Sequence, residues 1–162
     1  MNSLLRNTTL AFILTIASVV LVSANRFPHA QGQSQTIEPR WSKAQPVESS
    51  MHEFMEYVFQ PTYKRLKQSI AVETTDKAAW KAIKADALSL AEAGNLLLLH
   101  SPKEDVTAWD ELSIASREEG GKLYQAAKAK DYTLARQHYE SMLTKCNACH
   151  DKFAEGKHQL TP

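Results

Sequence analysis

From Ser50 to Gly156 the apolar positions recur every three or four residues, the spacing of a helix with one buried face. The first stripe runs through Met51, Phe54, Met55, Val58, Phe59, Leu66 and Ile70. Ser50-Met51-His52-Glu53 opens it as a capping box, with a serine N-cap and a glutamate three residues on. Pro61 falls inside the stripe and predicts a kink, because its ring clashes with the carbonyl of Tyr57 and it has no N–H to donate. A second stripe (Trp80, Ile83, Ala87, Leu90, Gly94, Leu97) follows Thr75-Asp76 and ends near His100-Ser101-Pro102. The third begins around Glu104 or Asp105 and carries Val106, Trp109, Leu112 and Ala115, then Leu123 and Ala127. Its Gly120-Gly121 pair costs roughly 1 kcal/mol per glycine relative to alanine in a helix interior, so it marks either a close helix approach or a break. The fourth follows Asp131, a good N-cap, and runs through Leu134, Ala135, His138, Tyr139, Met142, Cys146, Cys149 and Phe153 to Gly156.

No strand-like alternation competes with these stripes. The connections near 73–75, 101–104 and 130–131 are short, which makes sequential helices antiparallel neighbours. The expected fold is therefore all-α, an up-down-up-down four-helix bundle over residues 50–158.

Upstream, Arg6 precedes an apolar run from Leu10 to Val22, broken only by Thr15 and Ser18, and Val22-Ser23-Ala24 follows with small residues at the cleavage positions. A core of about 13 residues is short for a membrane span, which needs about 20, so residues 1–24 read as a signal peptide. The rest of the chain is then periplasmic or otherwise exported, and it meets a membrane only if that segment stays uncleaved as an anchor. Residues 25–49 carry Gln31-Gly32-Gln33-Ser34-Gln35 and prolines at 28, 39 and 46 without any period, which predicts a flexible linker.

Charge narrows the partners. The formal net charge is +1, and without residues 1–24, which hold Arg6 and no acid, 18 basic residues face 18 acidic ones. Such a chain has no long-range field to gather nucleic acid or anionic lipid.

The chemistry concentrates at Cys146-Asn147-Ala148-Cys149-His150. The pattern C-x-x-C-H is the attachment signal of c-type haem. Two thiols three positions apart on one helical turn each reach one haem vinyl group, and the adjacent histidine presents its imidazole to the iron from the same side. A thioredoxin-like pair needs a βαβ setting, which the helical periods do not provide. A zinc site needs further ligands, and no second close-spaced pair exists. A structural disulfide suits an exported chain but leaves His150 unexplained. The two cysteines are the only ones in the chain. The expected cofactor is one covalent haem c on Cys146 and Cys149, with His150 as the proximal iron ligand.

With the motif near the end of four helical stripes, the chain resembles the class II cytochromes c, the cytochrome c prime group and its low-spin relatives. The resemblance covers roughly residues 46 to 156. It includes Trp109 early in the third helix, Asp131 opening the last, and the run Cys146 to Phe153, with an aromatic three residues after the histidine. Where the family usually has Arg or Lys four residues after the histidine, this chain has Ala154. The resemblance implies a haem between helices near one end of the bundle, and electron transfer or diatomic gas binding.

The sixth ligand decides between those two. If the first and last helices run antiparallel, Met55, five residues after Ser50, lies level with His150, six before Gly156, each about 8–9 Å from the same end. Met55 is the expected distal ligand, with His52 and Met51 as alternatives, and the alternative to all three is an open iron. A closed site is expected to serve electron transfer with redox partner proteins, whereas a five-coordinate site binds NO or CO. No catalytic residue is expected, because no distal acid/base pair is evident. A homodimer is left open. Of the remaining residues, His100 is expected to cap helix carbonyls, His138 to sit too far up the bundle, and His29 and His158 to lie in exposed tails. Tyr57, Tyr63, Trp80, Trp109 and Phe153 are expected to pack the core or the haem edge.

Overall fold

A computed structural model describes residues 43–162. The expected signal segment, most of the linker, His29 and Trp41 lie outside the described residues. Among the described residues all regular structure is helical: α1 (Met51–Phe54), a π-helical turn (Met55–Phe59), α2 (Gln60–Ile70), α3 (Lys77–Leu97), a short 3-10 turn (Leu98–His100), α4 (Val106–Ala129) and α5 (Tyr132–Phe153). α1, the π-turn and α2 follow one another without a break, so four helical rods pack together.

Three of the four starts carry a side-chain cap, two of them, at Ser50 and Asp131, where the sequence predicts one. Ser50 Oγ accepts from the Glu53 N–H at 3.3 Å, Asp76 Oδ2 from Ala79 at 2.7 Å, and Asp131 Oδ1 from Leu134 at 3.0 Å. The capping box is only half built, since the Ser50 N–H donates to Glu48 rather than to Glu53. α4 is the exception. Asp105 precedes it in the left-handed region (φ 56°) without a side-chain cap, and its carboxylate pairs instead with Lys152 Nζ at 3.0 Å.

Pro61 neither ends the first rod nor leaves an ordinary turn before it. The helix widens, so that the Gln60 N–H bonds the carbonyl of Met55, five residues back. Thr62 Oγ donates to the Val58 carbonyl at 2.9 Å within the same stretch.

The glycine pair is a close approach, not a break, because α4 runs straight through it. A Cβ on Gly120 would meet Cα and Cβ of Ala91 at 3.2 Å, whereas one on Gly121 would meet nothing within 4 Å. Gly94 of α3 plays the reciprocal part against Arg117 of α4, where a Cβ would meet the Arg117 Cβ at 3.0 Å. Small residues at these crossings let the two backbones approach and bring α3 and α4 into extensive contact.

The apolar interior falls into two parts. The larger cluster includes Leu66, Ile70, Ile83, Leu123, Ala135 and Tyr139, and a smaller one gathers Phe54, Leu97, Trp109 and Cys149. Arg65 Nη2 to Asp86 Oδ1 at 2.7 Å pins α2 to α3. Trp80 and Trp109 are buried as expected, and the Trp109 indole N–H donates to the Leu97 carbonyl at 2.8 Å. Tyr57, expected to pack the core or the haem edge, is two-thirds exposed within the π-turn and packs no core.

Candidate functional site

The end of α5 carries the chemistry of the motif. Cys146 and Cys149, one turn apart on the helix, are both free thiols, and both line a single cavity of about 660 Å³ together with His150. The lining also takes in Met51, His52, Met55 and Phe59 of the first rod, Leu90 and Leu97 of α3, and Leu112, Ser113 and Ser116 of α4. A largely apolar cleft of this size, with a few convergent polar groups, has the dimensions of a cofactor site.

Neither thiol is set up as a thiolate. Burial pushes Cys149 up to about 11. Burial likewise pushes Cys146 up to about 11, against the smaller opposite pull of the Ser116 hydroxyl. Reactive dithiol centres lower the pKa of the attacking cysteine, so this environment does not support thiol–disulfide exchange. Among the described residues no three His, Cys, Asp or Glu side chains converge as metal ligands, so a zinc site finds no support either.

His150 is held in one tautomer. Its Nδ1 lies 2.9 Å from the carbonyl of His158. A carbonyl only accepts, so Nδ1 carries the proton and Nε2 keeps its lone pair free. Burial holds the imidazole below its ordinary pKa, with the His158 carbonyl working in the other direction. The ring is therefore neutral at neutral pH and available as a ligand.

The three distal candidates reach the cavity differently. Met51 and Met55 are half-buried and pack on the cluster that includes Cys149 and Trp109. Met55 is also the first residue of the π-turn, a feature frequent at functional sites. His52 stands at the rim, its side chain 74% exposed and 3.3 Å from Glu56. Phe153 meets Trp109 edge to face, with ring centroids 5.1 Å apart.

Several residues were not legible from the sequence. His100 caps no carbonyl; its ring stacks on Phe54, with centroids 4.6 Å apart and planes 23° from parallel. His138 bonds Glu119 Oε2 at 2.9 Å, away from the cavity, as its height in the bundle predicts. Ser113 is buried in the cavity wall with no partner for its hydroxyl, which suits a ligand with a polar edge. The chain beyond Gly156 is no loose tail either: His158, Gln159 and Leu160 line the cavity. The one available signal for this was Asn147, a short amide inside the motif, whose partner lies thirteen residues on.

No family model matches the chain, and no curated protein matches it.

Proposed function

We propose that the chain is a c-type cytochrome of the class II kind, an exported one-electron carrier with one covalent haem c. One observation carries the reading: both free thiols of C-x-x-C-H and a neutral imidazole with its Nε2 lone pair free line the same apolar cavity. Cys146 and Cys149 would hold the group by thioethers, each S–H adding across a vinyl group with no net change of oxidation state. The iron, when bound, supplies reversible exchange of one electron between its ferric and ferrous forms. His150 would supply the proximal nitrogen: the His158 carbonyl selects the tautomer with the proton on Nδ1, and burial keeps the ring neutral. Leu90, Leu97, Leu112 and Met142 exclude water from the interior side.

The arrangement we infer is an up-down-up-down bundle, with the group between helices near one end. Short connections, and the packing of α2 on α3, α3 on α4 and α4 on α5, support it. Met55 is the proposed distal ligand, because it combines a half-buried position in the cavity lining, packed on the cluster that includes Cys149, with the irregular turn that the sequence tolerates there. A thioether opposite an imidazole raises the reduction potential relative to two imidazoles and closes the site to gases. Residues 1–24 would direct export, and the partners are redox proteins.

The test is spectroscopic. Protein matured in its exporting host is expected to keep haem through acid–organic extraction and denaturing electrophoresis, and to lose that property in Cys146→Ala or Cys149→Ala. Its ferrous spectrum is expected to be low-spin with little CO uptake. Met55→Ala is expected to make it high-spin and CO-reactive, while Met51→Ala leaves it closed. Cleanly extractable haem would overturn the reading. Wild-type protein that is already high-spin and binds CO at once would replace the carrier by a gas-binding protein.

A further inference from the structure

The segment after α5 reverses direction through three residues with positive φ, Glu155 (54°), Gly156 (70°) and His158 (61°), and returns along the cavity. It is then pinned from two sides. The Asn147 side-chain amide donates to the Leu160 carbonyl at 2.9 Å and accepts from the Leu160 N–H at 2.8 Å. The Tyr63 hydroxyl, on α2, donates to the Thr161 carbonyl at 2.7 Å and accepts from the Thr161 N–H at 3.1 Å. Lys67 Nζ reaches Thr161 Oγ1 at 2.7 Å, and Gln159 Nε2 donates to Asp151 Oδ1 at 2.8 Å. Two reciprocal backbone clamps on adjacent residues are far more than burying the half-exposed Leu160 requires. Their effect falls two residues upstream, where they fix the carbonyl that receives the His150 Nδ1–H.

We propose that residues 157–162 form a positioning strap for His150, held by Asn147 of α5 and Tyr63 of α2, which sets the ring orientation and donor strength of the proximal imidazole. This rests on the haem reading above. A fixed acceptor on Nδ1–H makes the imidazole a more basic ligand, which favours the ferric state and lowers the potential. A strap that acted merely as a cover has the opposite consequence on removal: exposure to water also favours the charged ferric form, so losing a cover lowers the potential. The sign of the shift separates the two roles.

Position 158 allows a controlled comparison. Glycine adopts φ near +60° freely, whereas proline is locked near −65° and cannot hold the carbonyl where it is. Both substitutions remove the His158 imidazole. In holoprotein with covalent haem and unchanged helix content, His158→Gly is expected to keep the wild-type potential, while His158→Pro and Asn147→Ala shift it upward. Equal potentials for His158→Pro and His158→Gly, or a common downward shift, would overturn the strap and leave the haem reading intact. Wild-type protein without covalent haem would overturn the haem reading itself, visibly and before any variant is compared.

Discussion

His100 shows how a residue's surroundings can reverse a reading made from its position. At a helix end it suggests a cap, yet the ring lies on Phe54. Burial pushes its pKa below the ordinary value, while the Glu48 carboxylate pulls it back in part. The unfolded chain takes up a proton near pH 6.5, and the folded chain resists doing so. Below that pH the unfolded state binds more protons, so stability falls with falling pH. His150 in the haem-free chain adds a contribution of the same sign, again through burial. His100→Leu keeps an apolar partner for Phe54 and removes one titration. Urea midpoints at pH 7 and pH 5 are expected to differ less in His100→Leu than in wild type, since the rest of the chain is the same in both. The motif stands out at this scale because it is local: two thiols and an imidazole within five positions need no knowledge of the fold. Asn147 and His100 were not, because their partners lie thirteen and forty-six residues away.

Among the elements, boundaries announced by a side chain came through. Ser50 and Asp131 cap what they were expected to cap, Asp76 caps the helix expected to follow it, and the stripes of α3, α4 and α5 face the interior except at Val106 and Leu134, which are exposed. Features governed by backbone geometry did not. Pro61 predicts a kink, but that the chain accommodates it by a widened turn, with the Gln60 N–H on the Met55 carbonyl, follows only from the backbone of the folded rod. The glycine pair gave two readings for the same reason, and the two glycines differ in kind. Gly121 has open space around it, so Gly121→Ala is expected to stabilise the protein by about 0.5–1 kcal/mol through helix propensity alone. Gly120 faces the Ala91 backbone at 3.2 Å, and a methyl there forces α3 and α4 apart. Overpacking of this kind costs about 1–3 kcal/mol, which exceeds the propensity gain. Denaturant titration of the two holoprotein variants is expected to place Gly120→Ala below wild type and Gly121→Ala above it. Equal stabilities would mean that the α3–α4 contact yields without cost.

For the molecule as a whole, the consequence of the site is a core that one cavity divides. The larger apolar cluster joins the rods at one end, and the cluster of Phe54, Leu97, Trp109 and Cys149 lies beside the cavity at the other. Three successive pairs of rods pack closely, and the strap bridges α2 to α5 across the side where the cavity lies. At about 24 cal/mol per Å³, a sealed apolar void of 660 Å³ would cost about 16 kcal/mol, an upper limit because the cleft opens to solvent at His52. Even a third of that rivals the 5–15 kcal/mol that holds a typical domain together. Haem-free protein is therefore expected to lose the cavity end first. Met51, Met55 and Phe59 would collapse toward Cys149 or fray, while the cluster around Leu66, Ile83 and Tyr139 keeps its helices. The double variant Cys146→Ala/Cys149→Ala, prepared without haem, is expected to show strong far-UV and weak near-UV circular dichroism, dye binding, and a broad thermal transition. Hydrogen exchange is expected to be fast in α1, the π-turn and residues 157–162, and slowest in α3 and α4. A haem-free chain that melted as sharply and at the same temperature as the holoprotein would show that the four rods close without a prosthetic group.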